Sequence, residues 1–211
     1  NVTAMTILGD GNVGIGDSAP QDFLEVKGTS LGGITISNSN HNQAALSFAR
    51  SSTATARIFT SEPAALHTSA MHFQTSTAAS GPTLVTAMTI DQSQNVGIGT
   101  TPHTGWYGNA TALQIATTGA LYNTSNWEDL NLANNVYINT SGVDSYIQND
   151  AACKIRLTDA GLIDFRVAGA GTAGNAISWD TALSISALGR VGVGVTQTDP
   201  VKFEVNSGTD E

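Results

Sequence analysis

Positive charge is scarce in this sequence: three lysines and five arginines face seventeen acidic residues, for a formal charge of −9. A nucleic-acid-binding domain carries a basic stripe, and none is present. Charged residues make up only 12% of the chain, against about a quarter in an ordinary globular domain. Aromatics are 6%, too few to fill a broad globular core. Cys153 is alone, so an intrachain disulfide is excluded. Its neighbours Ala151, Ala152 and Ile155 place it in a strand, where a buried inert thiol is expected; a nucleophile would need a base and an electropositive setting. No apolar run approaches the roughly 20 residues that cross a bilayer as a helix, so membrane insertion is not expected. Helical periodicity is also missing. The best candidate is Ser125–Leu132, with Ser125 as cap and Glu128 at the capping-box position, two turns at most. What remains is rich in Ala, Gly, Ser, Thr, Asn and Val, a β-forming composition and not that of a disordered chain.

One phrase occurs three times. Ala4-Met5-Thr6-Ile7 leads into Gly11-Asn12-Val13-Gly14-Ile15-Gly16, Ala87-Met88-Thr89-Ile90 into Gln94-Asn95-Val96-Gly97-Ile98-Gly99, and Ala182-Leu183-Ser184-Ile185 into Gly189-Arg190-Val191-Gly192-Val193-Gly194. A proline follows each copy (Pro20, Pro102, Pro200), and then a short apolar strand: Phe23–Val26, Leu113–Ile115, Phe203–Val205. Repetition in fixed order marks a chain built from copies of one unit, whose function is often reach and display. The copies are 83 residues apart from Val13 to Val96 and 95 from Val96 to Val191. The phrase is therefore a recurring joint between longer segments. The expected division is a first joint at 1–28, a β module at 29–116 closed by the second joint, and another at 117–211 closed by the third. Since the chain starts at Asn1 and stops soon after the third joint, it reads as a fragment of a longer polypeptide.

Strands are expected in the first segment at 33–37, Ala45–Ala49, Ala56–Thr60 and Ala70–Gln74. In the second they are expected at Val136–Ile138, Ser145–Gln148, Lys154–Leu157 and Leu162–Val167, with Gly169–Gly174 as a flexible loop. In each joint the apolar residues fall on one strand face and Gly14 and Gly16, Gly97 and Gly99, or Gly192 and Gly194 on the other. Glycine weakens a strand unless a bulge, a bend or a close backbone approach requires it. Approach of a neighbouring chain near a symmetry axis is the favoured reason. Short, numerous strands with many open edges also point to several chains burying Val, Ile and Leu between them.

Chemistry-bearing residues are few. Glu128-Asp129 and the pair Asp159 and Asp164 are the nearest approach to the paired carboxylates of a glycosidase. Asp159-Ala160-Gly161 reads instead as a hairpin turn. The histidines His41, His67, His72 and His103 lack metal-ligand spacing. Gly9-Asp10-Gly11-Asn12 lacks most ligand positions of a calcium loop and reads as a turn. Gly169–Gly174 lacks the Lys-Ser/Thr ending of a phosphate loop. Catalytic residues, metal ligands and cofactors are therefore not expected, nor is an enzyme. The aromatics Trp106 and Tyr107, in a Gly-flanked insertion unique to the second joint relative to the first, with Tyr122 and Trp127, have two readings. They stack on a sugar at an exposed glycan-binding surface, or they fill core between chains; the second is preferred.

"AMTI…NVGIGTTP…LQI" and "AMTI…GNVGIG…P…LEV" resemble a phrase of bacteriophage tail-fibre and tail-spike proteins, which often precedes an intramolecular chaperone domain of the endosialidase type. The resemblance covers only the joints, and no part of the chain matches that chaperone. It implies an all-β, elongated, intertwined parallel homotrimer in a virion appendage. Small β-sheet or β-sandwich modules would be joined by the glycine-rich joints, with other fibre or baseplate proteins and a host-surface glycan as partners. Stability from burial between chains implies that a lone chain folds poorly. The alternatives are a receptor- or glycan-binding module, the stalk of a polysaccharide depolymerase, and a bacterial trimeric adhesin.

Overall fold

The computed structural model describes residues 4–27, 44–50, 53–61, 69–77, 83–124, 128–194 and 203–205. The chain divides into two compact units, 1–40 and 41–211. All regular structure among the described residues is β, as the composition requires.

The first unit holds one joint. β1 (Met5–Ile7) and β2 (Val13–Ile15) form an antiparallel hairpin, and β3 (Leu24–Val26) returns parallel to β2. The second unit begins with the antiparallel strands β4 (Ala45–Arg50), β5 (Thr53–Ser61), β6 (Ala70–Ser76) and β7 (Leu84–Ile90). The second joint follows as β7, β8 (Val96–Ile98) and β9 (Ala110–Ile115), again a hairpin and then a parallel pair. β10 (Gly119–Thr124) and β11 (Leu130–Asn134) extend the same sheet. The chain then leaves it as a separate hairpin, β12 (Val136–Ile138) and β13 (Asp144–Tyr146). It rejoins through β14 (Ala152–Leu157), β15 (Ile163–Ala168) and β16 (Asp180–Ile185). β17 (Val191–Val193) and β18 (Phe203–Val205) complete the third joint. One sheet thus runs from β4 to β18, interrupted in sequence only by β12–β13. The expected boundary at 116/117 lies in the short turn between the paired strands β9 and β10, inside that sheet.

The three joints share one register. Thr6, Thr89 and Ser184 pair with Gly14, Gly97 and Gly192, which pair on their other side with Glu25, Gln114 and Glu204. Their hairpin loops are also one design, used twice more elsewhere. In 8–12, 91–95, 139–143, 158–162 and 186–190 the first residue's N–H donates to the fifth residue's carbonyl. The fourth residue's N–H donates to the first residue's carbonyl. The fourth residue is left-handed each time: Gly11, Gln94, Gly142, Gly161 and Gly189. This is the three-residue hairpin loop closed by a bulge, which favours glycine at that position. The turns expected at Gly9–Asn12 and Asp159–Gly161 are two of the five.

The joint glycines have an explanation inside the chain, which corrects the favoured one. A Cβ on Gly14 would strike the Asp17 carbonyl and lie 3.3 Å from Pro20 Cδ; on Gly97 it would strike the Thr100 carbonyl and lie 2.9 Å from Pro102 Cδ. In the first and second joints the chain folds back so that the joint's own proline seats on its first glycine. The second glycine is left-handed, with φ of +73° at Gly16, +67° at Gly99 and +71° at Gly194, where a side chain is disfavoured. Glycine is needed for a turn and a proline cover, and no neighbouring chain has to approach.

Of the expected strands, Ala45–Ala49, Ala56–Thr60, Ala70–Gln74, Val136–Ile138, Lys154–Leu157 and Leu162–Val167 fall on β4, β5, β6, β12, β14 and β15. The strand at 33–37 lies outside the described residues. The helix at 125–132 is overturned in its described part. Leu130–Asn134 is β11, Glu128 has φ +52°, and Asn131 and Ala133 turn to one face while Leu130 and Leu132 turn to the other. The Gly169–Gly174 loop is pinned. Tyr146 OH donates to the Gly169 carbonyl (2.7 Å), Gly174 N–H to the Tyr146 carbonyl (2.8 Å), and Ala173 N–H to Asn149 Oδ1 (2.8 Å).

Candidate functional site

The two faces of the long sheet differ in chemistry and in cover. Because paired residues on neighbouring strands share a face, the register can be followed across the sheet. One row reads Thr89, Gly97, Gln114, Ala120, Ala133, Lys154, Arg166. Its neighbour on the same face reads Ala112, Tyr122, Asn131, Arg156, Asp164, Ser184, Gly192. These residues are small, polar or charged, and most of them are buried.

Covering that face are the β12–β13 hairpin and the loops around 101–109 and 169–179. The core lies between. Ala112, Ala120, Ala133, Ala152 and Ala168 on the sheet leave room for Trp106, Val136, Tyr137, Ile138, Tyr146 and Ile177 from the cover. Trp106 packs tilted on Tyr122 at 5.2 Å and edge-on to Tyr137 at 6.2 Å. A glycan surface at these rings is therefore overturned for two of its members: Trp106 is 6% exposed and Tyr122 2%. They fill core, but core within one chain and not between chains. Tyr107 is half-buried against the same cluster, with its N–H on the Ile138 carbonyl at 2.8 Å. Trp127 lies outside the described residues. The insertion in the second joint thus serves to plug the aromatic core.

Asn135, between β11 and β12, organises the departure of the hairpin. It is left-handed (φ +63°) and 1% exposed. Its Nδ2 donates to the carbonyls of Gln148, Asp150 and Ala151 at 3.1 Å each, and its Oδ1 accepts the Gln148 N–H at 2.7 Å. Asparagine is among the few residues that tolerate αL and can also make these bonds.

A network of charges sits beside the aromatic core. Asp144 accepts from Lys154 Nζ, from Trp179 Nε1 (2.8 Å) and from Tyr122 OH (3.1 Å). Asp164, 1% exposed, accepts from Arg156 (2.8 Å) and twice from Arg166 (3.0 and 3.1 Å). Arg156 also reaches Asp129 at 3.3 Å. Burial draws the Lys154 ammonium below its usual value, against the pull of Asp144. Burial pushes the Asp164 carboxyl up, but hydrogen bonds and charge from Arg156 and Arg166 outweigh it and hold it below 3.8. Burial and the Asp144 carboxylate push the Tyr122 phenol up. A pocket of about 240 Å³ opens here, walled chiefly by Thr124, Asp129, Asn131, Asp144, Lys154 and Arg156. It presents donors and acceptors together, which suits a polyhydroxylated group better than a bare ion. Only Asp129, Asp164 and Tyr122 of these residues drew notice in the sequence, and for other roles, since the set is scattered from 122 to 179 and meets only in the folded sheet.

The carboxylates weighed as catalytic pairs are thus placed otherwise. Asp129 and Asp164 are ion-paired on Arg156, and Asp159 is in a hairpin turn. His72 stacks on Phe59 at 4.6 Å and bonds to Ser61 Oγ (2.7 Å) and Thr89 Oγ1 (3.3 Å). His103 stacks on Tyr137 at 4.0 Å and accepts the Gly105 N–H at 3.0 Å. Burial lowers the pKa of both below 6.5. His41 and His67 lie outside the described residues. Among the described residues no group of three or more His, Cys, Asp and Glu converges as a metal site.

The other face is apolar and has nothing over it in the described chain. Its central row reads Met71, Ile90, Val96, Leu113, Leu121, Leu132, Ile155, Phe165, Leu183, Val193, one residue from each of ten successive strands. Leu132 is 55% exposed and Ile115 53%. Cys153 is on this face, paired with Asn134 and Val167, and is exposed. The expectation of a buried thiol is corrected, because the strand's alternation turns Cys153 away from the core that buries Ala152 and Lys154. The first unit repeats the inversion: Met5, Ile7, Ile15, Leu24 and Val26 are exposed, and Gly14 is buried.

No protein-family model matches the chain, and no curated protein matches it.

Proposed function

We propose that this chain is a structural segment of a homotrimeric fibre of the bacteriophage-appendage kind, spacing and presenting a host-receptor-binding region on the virion. One observation carries the reading: the three joints have the same strand pairing, the same register and the same hairpin loop. A unit reproduced this closely at intervals along one chain suits a spacer, in which repetition sets length, better than an enzyme, in which one site does the chemistry. The resemblance of the joint phrase to tail-fibre and tail-spike proteins names the kind of assembly; other fibre or baseplate proteins are its neighbours. The solution mass by light scattering during size exclusion tests it. Three chains are expected. A well-folded single chain would overturn the reading.

A second reading, that the module itself holds a receptor glycan, is favoured by the polar pocket at Asp129, Asn131, Asp144 and Lys154 and not by the aromatics. Its test is calorimetric titration with host-surface saccharides, with Asn131→Ala as the control that should abolish any heat.

A further inference from the structure

We infer that the apolar face of the long sheet, centred on Leu121, Leu132 and Phe165, is the surface on which a second copy of this chain docks. The inference rests on the fibre reading above and names where its copies meet.

An alternating strand buries its apolar set whenever one face is covered, and here the covered face is the other one. The row crosses ten strands at about 4.8 Å each, and the ladders beside it widen the strip to two or three residues per strand. The strip is therefore roughly 43 Å long and about 7–13 Å wide, on the order of 300–550 Å² before side-chain relief. That is the size of the largest apolar patch on a typical monomer, about 300–600 Å² and often functional, and side-chain relief takes it toward the roughly 800 Å² per partner of a standard interface. A groove of about 410 Å³ lies along it between Leu132, Ile155, Phe165 and Val167, with Cys153 at its side, able to take a protruding apolar side chain.

Charge selects the occupant. Across the paired positions of this face from β6 to β17 the charged residue is Asp180, beside Val167, while Lys154, Arg156, Asp164 and Arg166 lie on the covered side. A face without cations in a chain of charge −9 has nothing for an anionic membrane or nucleic acid. For a copy of itself, lack of charge is the requirement: two identical faces of one sign would repel. The same inverted face recurs on the first unit's joint.

The test uses the full chain. Leu132→Asp and Phe165→Asp place a charge on the strip at exposed positions. Either is expected to reduce the mass from three chains to one at micromolar concentration, while Asp159→Asn, in a hairpin loop, leaves it unchanged. Without any substitution, Cys153 in the assembled wild type is expected to react with a soluble disulfide reagent at least tenfold more slowly than in urea. A wild type of three chains in which Cys153 reacts at the urea rate, or in which a folded Leu132→Asp variant still weighs three chains, overturns this surface and leaves the fibre reading standing. A wild type that is one folded chain overturns both. If the Asp variants do not fold, the thiol rate decides alone.

Discussion

The two faces of one sheet use the same strands to opposite ends. On the covered face, alanines and a few polar residues make room for aromatic rings and buried charges supplied by a hairpin and two loops. On the uncovered face, rows of Val, Ile, Leu and Phe meet nothing in the described chain. The covered face is where this chain is specific to itself, since each buried polar group there needs a particular partner. The uncovered face asks only for apolar area, and its energy is realised when something dry lies on it. A sheet with its polar face inside and its apolar face outside is what the proposed docking of a second copy would complete.

Neighbouring residues of β11 offer the sharpest way to break the comparison. Ala133→Asp puts an unpaired carboxylate into the aromatic core and is expected to cost more than about 4 kcal/mol, enough to unfold the module. Leu132→Asp, one residue away, is expected to alter the mass and not the circular dichroism spectrum. Equal loss of fold in both would erase the distinction between faces.

Next in size is the charge network. Asp164→Ala leaves Arg156 and Arg166 facing a void and should cost about 3 kcal/mol in urea unfolding, reduced from the fully buried case because both arginine side chains keep about a fifth of their exposure. Asn135→Ala should cost about 2 kcal/mol, from three carbonyls left short of a donor and an αL position lost to a less tolerant residue. A change below about 0.5 kcal/mol would mean that the hairpin cover is not anchored there.

Acid should act on the covered face in two steps. His72 and His103 have folded pKa values below 6.5, so the unfolded chain binds their protons first. Their contribution is complete above 6.5 and is lost as pH falls through the folded values. Asp164 is held below 3.8, so its contribution is present above that value and disappears as pH falls through the lower folded one. Urea midpoints that decline from pH 7.5 to 5 and again below 4 are expected; a flat profile over the first interval would contradict burial of the two rings. The smallest effect is at the second joint's hairpin, where Gln94 occupies the left-handed position that Gly11 and Gly189 hold in the other joints. Gln94→Gly should stabilise by about 1 kcal/mol, read as a rise in urea midpoint.

Much of the sheet was legible in the chain. Alternation in 56–60, 70–74 and 154–157 marked strands because a half-buried strand repeats every two residues. The threefold phrase marked the joints, because its apolar strand residues and its paired glycines recur in the same order. The glycine of Val-Gly-Ile-Gly was legible as a necessity, but its cause was not: the proline that seats on it is six residues away from Gly14, and only the folded turn brings the two together. Trp106 and Tyr122 were legible as a related set, with core preferred over an exposed glycan surface, but that the core lies within one chain was not legible, since an aromatic beside Gly and Asn looks the same in either setting. Asn135, Asp144 and Lys154 carried no local signal.

By itself the sequence determined the class of structure, the repeats, much of the turn chemistry and the alternation of many strands, because these depend on backbone conformation and on neighbours within a few residues. Which alternating face would be covered was decided only in three dimensions. Alternation states that a strand has two unlike faces, and it does not state which one a distant hairpin will reach. Here the β12–β13 hairpin, swung out at Asn135, took the small and polar face. That left Leu132 and Cys153 outside.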